Sequence, residues 1–198
     1  GTTIDVQDSV VSQNTVSGLR LIRGATATIG NSAIDENGED GVTVLASTVV
    51  LGGGQVTING DHGVYVAQGG NAVVEGACLV SGNDSDGMRI DGSTGALRDS
   101  QASENGANGV SVMGGATGTV VGSDVSENGK EGVEVWVATA TIRNSVVSEN
   151  VANGVYATGG ASVEILEGSQ IVDNAVDGVL IDAAQASIDA SEASGNGR

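Results

Sequence analysis

The chain has 198 residues, among them 33 glycines, one tryptophan and two tyrosines, and it contains no proline and no phenylalanine. Its net charge of −18 argues against nucleic acid and anionic membranes as partners, since both require clustered lysine and arginine. No apolar stretch of about 18 residues occurs, so no membrane insertion is expected, and the lone Cys78 allows no internal disulfide. With so few aromatic rings, the core is predicted to be thin and made of small β-branched residues.

An Asn followed four residues later by a Gly repeats along the whole chain, at spacings of 22 to 24 residues. The eight Asn residues are Asn14, Asn37, Asn59, Asn83, Asn105, Asn128, Asn150 and Asn174, and Asn196 begins a ninth repeat. The partner glycines are Gly18, Gly41, Gly63, Gly87, Gly109, Gly132, Gly154 and Gly178. This periodicity predicts a single repeat domain over residues 1–198, and we expect it to be a fragment of a longer repeat protein.

Three short strands are predicted in each repeat, and the first lies about eight residues before the Asn. Its inward apolar residues are Val6, Ile29, Leu51, Leu97, Val120, Ile142 and Leu166, and Glu75 interrupts this column. The second strand ends just before the Asn. It carries a small inward residue five places before the Asn, namely Ser9, Ser32, Gly54, Cys78, Ser100, Ser123, Ser145 or Ser169. The third strand follows the Gly and alternates inward, outward, inward, which is the period of a strand.

Strands this short leave room only for tight turns, so successive repeats must stack in parallel. Each strand then pairs with its equivalent one coil away, and the result is a solenoid of about eight coils. The Asn and the Gly are interpreted as corner residues, because both tolerate left-handed backbone geometry better than other residues do. The Asn side chains are also expected to stack as a ladder in which each amide bonds the next.

The repeat and its "SENGxxGVxV" motif, as in "SENGANGV" and "SENGKEGV", resemble the right-handed parallel β-helix proteins of the pectate-lyase-like superfamily. The resemblance covers essentially the whole chain. It implies an all-β, single-stranded parallel β-helix. The superfamily includes polysaccharide lyases, glycoside hydrolases, uronan epimerases, adhesins and phage tailspikes, so the resemblance specifies a fold and leaves the activity open.

The three aromatic residues are predicted to face solvent on the strand that follows the Gly. Tyr65 and Tyr156 share its outward column, and Trp136 lies two residues beyond that column. Exposed rings on a flat sheet can stack on sugars, and Arg89 and Glu134 on the same face can bind hydroxyl or carboxylate groups. The alternative interpretation is that aromatic residues are present there for their strand propensity alone.

An acid–base cluster is predicted around coils three and four. Its members are Asp61, His62, Tyr65, Asp86, Arg89 and Asp91. A lyase of the resembled superfamily would need a base and a group that neutralises the uronate, whereas a hydrolase would need two carboxyl groups across a groove. The catalytic candidates are therefore His62, Asp86, Arg89 and Asp91. Turns of nearly constant length offer no cleft to exclude water, which favours a non-catalytic protein.

Two acidic columns flank the coil corner. Glu104, Glu127, Glu149 and Asp173 stand just before the Asn. Just before the Gly stand Asp40, His62, Asp86, Asn108, Glu131, Asn153 and Asp177. Stacked like charges repel each other, and calcium would relieve that repulsion at the first of these columns. The favoured interpretation is a solvated acidic edge that keeps the fold soluble, with no cofactor required.

These patterns lead to two function hypotheses. The first is a non-catalytic bacterial module, secreted or on the cell surface, that is structural or adhesive and binds glycans or other surface proteins through its aromatic face. The second is a polysaccharide-active enzyme, a lyase, hydrolase or epimerase. A long loop or deep groove over coils three to five would favour the enzyme, and smooth faces would favour the module.

Overall fold

The structure is a computed structural model that describes residues 1–197. Runs of alternating residues between tight turns form twenty-four strands that build two parallel sheets. The eight-stranded sheet, called the face sheet here, contains one strand from each coil, the strand that follows the Gly. Its strands are β3 (Leu19–Ile22), β5 (Val42–Leu45), β7 (Val64–Ala67), β10 (Met88–Asp91), β13 (Val110–Met113), β16 (Val133–Trp136), β19 (Val155–Thr158) and β22 (Val179–Asp182).

The sixteen-stranded sheet contains the other two predicted strands of each coil. The flank strands are β1 (Thr3–Gln7), β8 (Asn71–Glu75), β11 (Thr94–Arg98), β14 (Thr117–Val121), β17 (Thr139–Arg143), β20 (Ser162–Leu166) and β23 (Gln185–Ile188). The corner strands are β2 (Val10–Ser12), β9 (Leu79–Ser81), β12 (Gln101–Ser103), β15 (Asp124–Ser126), β18 (Val146–Ser148), β21 (Gln170–Val172) and β24 (Glu192–Ser194). Two long strands, β4 (Thr26–Asp35) and β6 (Thr48–Thr57), run through both positions.

Every strand pairs in parallel with its equivalent in the next coil, which confirms the predicted solenoid of about eight coils. In the face sheet, for example, Val110 is in register with Val133, and Val133 with Val155. Equivalent positions therefore stack about 4.8 Å apart along the coil axis. The described chain, residues 1–197, contains no helix, so no helical segment of it could cross a membrane.

The core is a continuous column of Val, Ile, Leu and Ala side chains inside the coils. Inward residues of the face sheet such as Val42, Val64 and Val133 are completely buried. Cys78 is 1% exposed and takes a place in the inward serine column, as predicted. Its backbone N–H donates to Ser100 Oγ at 3.2 Å, and the same bond recurs from Ser100 to Ser123, so the hydroxyl column also links the coils.

The predicted flank column is wrong at Glu75 and Leu166. Val74 is in register with Leu51 and Leu97, and Ile165 is in register with Ile142, so Val74 and Ile165 are the inward residues. In both coils one extra residue lies in the turn that follows the flank strand. Gly76 and Gly168 stand in these turns with left-handed backbone angles of +71° and +77°. Counting back from the Asn therefore misplaces the flank strand by one residue.

The Asn ladder exists, but its corner geometry differs from the prediction. Asn105 Nδ2 donates to Asn128 Oδ1 at 3.0 Å, and Asn128 Nδ2 donates to Asn150 Oδ1 at 2.9 Å. The Asn residues themselves do not have left-handed backbone angles. The left-handed residue is the one immediately before each Asn: Gln13, Glu36, Ile58, Gly82, Glu104, Glu127, Glu149, Asp173 or Gly195. The Asn is therefore required for its amide, and not for its backbone freedom.

The Gly of the motif is likewise required for space. The backbone angle of Gly109 is not left-handed, but a Cβ atom there would lie 2.7 Å from Asn128 Nδ2 and 2.9 Å from the Gly132 carbonyl oxygen. The same collision with the next Asn recurs at Gly41, Gly132 and Gly154. The Asn and the Gly of one motif therefore have complementary roles. The Asn supplies a ladder amide, and the Gly leaves room for the Asn amide of the next coil.

We expect Cys78→Ser to leave the melting temperature nearly unchanged, because serine already fills this column in other coils. Cys78→Leu should lower the free energy of unfolding by about 1–3 kcal/mol, because it forces volume into a thin core. Burial raises the pKa of the Cys78 thiol to about 12, so native protein should resist thiol reagents until it is unfolded. Rapid labelling of the folded protein would contradict the inward position.

Candidate functional site

The outward side chains of the face sheet form one continuous row, called the face row here. Its members are Arg20, Thr43, Tyr65, Arg89, Ser111, Glu134, Tyr156 and Leu180. Each lies in register with its neighbours because the strands pair in parallel without slippage. The residues on either side of each member point into the core. The same alternation of side-chain direction that builds the core therefore aligns this row on the outside.

The residues just before the Gly form a second row, the corner row, beside the face row. Its members are Asp40, His62, Asp86, Asn108, Glu131, Asn153 and Asp177. The Asn108 N–H donates to Asp86 Oδ1 at 3.0 Å, and the Glu131 N–H donates to Asn108 Oδ1 at 3.2 Å. Five of the seven are buried, so the expectation of a solvated edge is wrong for this row. The five buried side chains each accept a backbone N–H group of the next coil.

The corner row holds the face row in place. The Thr43 hydroxyl donates to Asp40 Oδ2 at 2.7 Å, and Arg89 Nη1 lies 3.6 Å from Asp86 Oδ2. One coil apart, Asn108 Nδ2 donates to Glu134 Oε2 at 2.9 Å. Burial raises the pKa of Glu134, and the nearby Asp86 carboxylate raises it further. The face row is therefore a set of polar groups whose positions are determined before any ligand binds.

His62 lies at the centre of the predicted acid–base cluster. Its Nδ1 accepts the Asp86 N–H at 3.2 Å and lies 3.6 Å from Asp86 Oδ2, while its Nε2 lies 3.5 Å from Asp61 Oδ1. The Tyr65 ring is tilted against the imidazole at a centroid distance of 5.6 Å. The structure thus brings together Asp61, His62, Tyr65, Asp86 and Arg89. Asp91 lies further along β10, in register with Met113, and within residues 1–197 it makes no hydrogen bond or ion pair with this cluster.

All three aromatic side chains lie outside the core, as the strand alternation predicts. Trp136 is 49% exposed, whereas Tyr65 and Tyr156 are half-buried and so less exposed than expected. The Trp136 indole lies against Gly159 of the next coil, within 3.1 Å of where a Cβ atom would stand. Tyr156 is in register with Glu134 and not with Trp136. The two rings therefore occupy neighbouring columns of the face and present separate contact surfaces.

Comparison with known proteins defines the family. A family model of the right-handed β-helix region matches residues 1–140. The chain belongs to the right-handed β-helix family. A search of curated protein sequences finds no significant match. The hand of this solenoid is therefore assigned from the family, and its activity has to be argued from the site.

Solved structures of similar fold include two epimerase modules and a lyase. The A-module of the mannuronan C-5 epimerase AlgE6 of Azotobacter vinelandii is 16% identical with a TM-score of 0.63, covering 87% of this chain and 60% of that one. The AlgE4 A-module from the same organism is 18% identical with a TM-score of 0.57, covering 91% and 60%. Pectate lyase Pel9A is 14% identical with a TM-score of 0.60, covering 94% and 70%. At these identities the likeness shows the fold alone, and this β-helix spans about 60% of the length of the epimerase modules.

The calcium candidates lie at the outer corner of the β-helix. Glu104, Glu127, Glu149 and Asp173 are exposed, and each has a left-handed backbone angle near +56° or +57°. They are not part of the three-residue group within residues 1–197 whose ligand atoms all lie within 4.8 Å of one another. That group is Asp40, Asp61 and His62. Calcium binding at the outer corner remains a prediction.

Sequence reasoning missed two members of the site, Asp40 and Asn108. Both were placed in an acidic or polar column, but neither was connected to the face row. The available signal was the constant offset of three residues between the corner row and the face row, as from Asp40 to Thr43. Contacts at that offset occur between Asp40 and Thr43, His62 and Tyr65, and Asp86 and Arg89, whereas Asn108 bonds Glu134 in the next coil.

Proposed function

We propose that this β-helix is a non-catalytic module that binds a glycan along the face row. The observation that carries the proposal is the unbroken register of Tyr65, Arg89, Ser111, Glu134 and Tyr156 on five successive strands. Four steps of about 4.8 Å give a track of about 19 Å, long enough for several sugar rings in a line. Ser111 is completely buried in the middle of the track, so the accessible groups are the Tyr65 and Tyr156 rings at its ends and Arg89 and Glu134 between them. Rings and polar groups in this order match the alternation of apolar faces and hydroxyls on a sugar chain.

Two further features support a module without a cleft. Within residues 1–197 the turn from each corner strand to the next face strand is six residues long in all eight coils, as in residues 104–109, and the turn that leaves each face strand has two or three residues, so no long loop rises beside the face in this part of the chain. Cavities of about 410 and 230 Å³ lie elsewhere, at the corner between flank and corner strands. None of their lining residues belongs to the face row. The net charge of −18 favours a neutral glycan over a polyanionic one.

The aromatic variants test this proposal. Trp136→Ala and Tyr156→Ala should each weaken glycan binding by about 1–3 kcal/mol, taking the stacking of nucleic-acid bases on aromatic rings as the scale. Neither should unfold the protein, because neither ring fills the core. Glycan-array screening would select the ligand, and isothermal titration calorimetry would measure the affinities. Val146→Ala, an exposed apolar residue on β18, is the control and should bind like the wild type. Unchanged affinity in Tyr156→Ala would remove the face row as the binding surface, and unchanged affinity in Trp136→Ala would exclude the neighbouring column.

The second candidate is a polysaccharide-active enzyme, and the His62 cluster is the observation that favours it. The His62 imidazole lies between Asp61 and Asp86, with Arg89 beside Asp86 and the Tyr65 ring against the imidazole. A candidate acid, a candidate base and a cation therefore lie next to one another at the edge of the face row. The solved relatives named as a mannuronan epimerase and a pectate lyase make uronans the substrates to assay. Unsaturated products would indicate a lyase, and a changed uronate stereochemistry by NMR would indicate an epimerase. Either product, lost in Arg89→Ala, would replace the first proposal.

The proposed location is outside a bacterial cell, in a secreted or surface-exposed protein, with glycans or surface proteins as partners. This location rests on the proposed glycan binding, because polysaccharides are displayed on the cell surface and released into the medium. Fractionation of the source cells followed by immunodetection would test this location. Detection only in the cytosolic fraction would contradict it.

A further inference from the structure

We propose that Asp40, Asp61 and His62 form a binding site for a divalent transition-metal ion of the zinc type. The three ligand atoms all lie within 4.8 Å of one another. The distance of 3.5 Å from His62 Nε2 to Asp61 Oδ1 is close to the edge of a tetrahedron around zinc, where ligands lie about 2.0–2.2 Å from the metal. The proposal goes beyond glycan binding and does not depend on it.

The local charge favours a cation at this point. Asp40, Asp61 and Asp86 surround one imidazole, whereas the only full cation in contact with them within residues 1–197 is Arg89, at Asp86. Asp40 is buried, and the groups that its carboxylate accepts from, the Thr43 hydroxyl at 2.7 Å and the His62 backbone N–H at 3.3 Å, are both uncharged. A divalent ion would neutralise the Asp40 and Asp61 charges together.

The imidazole has one nitrogen available for a metal. The His62 side chain is 11% exposed, and within residues 1–197 its Nε2 has no polar partner nearer than Asp61 Oδ1 at 3.5 Å. In the metal-free structure Nδ1 accepts the Asp86 N–H at 3.2 Å, so the ring proton is on Nε2. Coordination through Nε2 moves this proton to Nδ1, where Asp86 Oδ2, 3.6 Å away, accepts it in place of the bond from the Asp86 N–H. A carboxylate behind a metal-bound histidine is the usual way in which its ring orientation is held.

The donor set predicts the choice of metal. One imidazole and two carboxylates suit zinc, cobalt and nickel, whereas calcium prefers a shell of six to eight oxygen ligands. Three protein ligands also leave a coordination position for water or a ligand hydroxyl. The Asp61 side chain is 52% exposed, so an ion can reach the site from solvent without a change in fold.

Cobalt titration of chelator-treated protein, purified without a histidine tag, tests the site. We expect saturable binding of one Co²⁺ per chain in the visible absorption spectrum, reversed by Zn²⁺ and unaffected by excess Ca²⁺. His62→Asn is the informative variant, because Asn108 and Asn153 already serve as backbone acceptors in the corner row. It keeps that role and removes Nε2, so it should lower the Co²⁺ affinity at least tenfold while the melting temperature of the metal-free protein is retained.

Asp61→Asn should weaken Co²⁺ binding similarly, and it decides the question if His62→Asn does not fold, since Asp61 is half-exposed. Asp84→Asn, an exposed acid on the next coil, is the matched control and should bind like the wild type. Trp136→Ala should bind Co²⁺ normally, so failure of the glycan proposal would leave this result unchanged. The proposal is overturned if the wild type binds no Co²⁺, if Ca²⁺ displaces it, or if the variants of His62 and Asp61 bind as tightly as Asp84→Asn.

Discussion

Asn128→Ala is expected to lower the free energy of unfolding by about 3 kcal/mol or more. The Asn128 side chain is fully buried, and its Oδ1 accepts from the Asn105 amide while its Nδ2 donates to Asn150 Oδ1 and to the Ala102 carbonyl oxygen. Alanine would leave these groups buried without partners, at a cost of about 1–3 kcal/mol for each unsatisfied group. Urea denaturation followed by circular dichroism would measure the loss.

The control for this variant is an Asn outside the ladder. Asn71 begins the flank strand β8, is half-buried and makes no side-chain hydrogen bond in the described chain. Asn71→Ala should therefore change the stability by less than about 0.5 kcal/mol, as surface substitutions usually do. Equal effects at Asn128 and Asn71 would mean that the ladder contributes nothing beyond an ordinary polar side chain.

Gly109→Ala is expected to destabilise the protein by about 1–3 kcal/mol or more, although it adds a single methyl group. The new Cβ atom would lie 2.7 Å from Asn128 Nδ2 and 2.9 Å from the Gly132 carbonyl oxygen, and both are fixed by neighbouring coils. Relief requires the coils to separate, which would lengthen the ladder bond and the adjacent backbone bond from the Val110 N–H to the Gly132 oxygen, now 2.9 Å. Differential scanning calorimetry would detect the lower melting temperature.

A glycine without this constraint is available for comparison. At Gly52 an added Cβ atom would meet nothing closer than the Ile29 carbonyl oxygen at 4.0 Å, and the backbone angle there is not left-handed. Gly52→Ala should be neutral or stabilise by up to about 1 kcal/mol, because alanine restricts the unfolded chain. Loss of stability at Gly52 comparable to that at Gly109 would show that crowding by the next coil is not the cause.

The hydrogen bonds of the corner row show whether its acidic residues recur for a structural reason or as a solvated surface. Asp86 and Asn108 accept backbone N–H groups from the following coil, so their recurrence has a structural cause. His62 has the same structural contact through Nδ1, yet it presents Nε2 to Asp61. A residue can therefore belong to the scaffold and still direct a second ring nitrogen at an exposed carboxylate, so variants at this row must keep the hydrogen-bond acceptor.

The amino-acid sequence by itself determined the repeat, the strands and the direction in which most side chains point. Alternation along a strand has a local cause, so the burial of Cys78 and the outward position of Trp136 followed from counting residues. The Asn ladder also followed, because equal spacing in a solenoid places equal residues above one another. These features need no knowledge of how the turns are shaped.

The tertiary structure alone decided the shape of the corners and what meets there. That the left-handed residue is Glu127 and not Asn128, and that Val74 replaces Glu75 in the core, depends on turns whose backbone angles the residue types do not specify. The proximity of Asp40, Asp61 and His62 has the same origin, since Asp40 belongs to the preceding coil and is 22 residues from His62. Contacts between coils depend on which residues stack and on the geometry of the turns. The spacing of the repeat indicates only which residues stack.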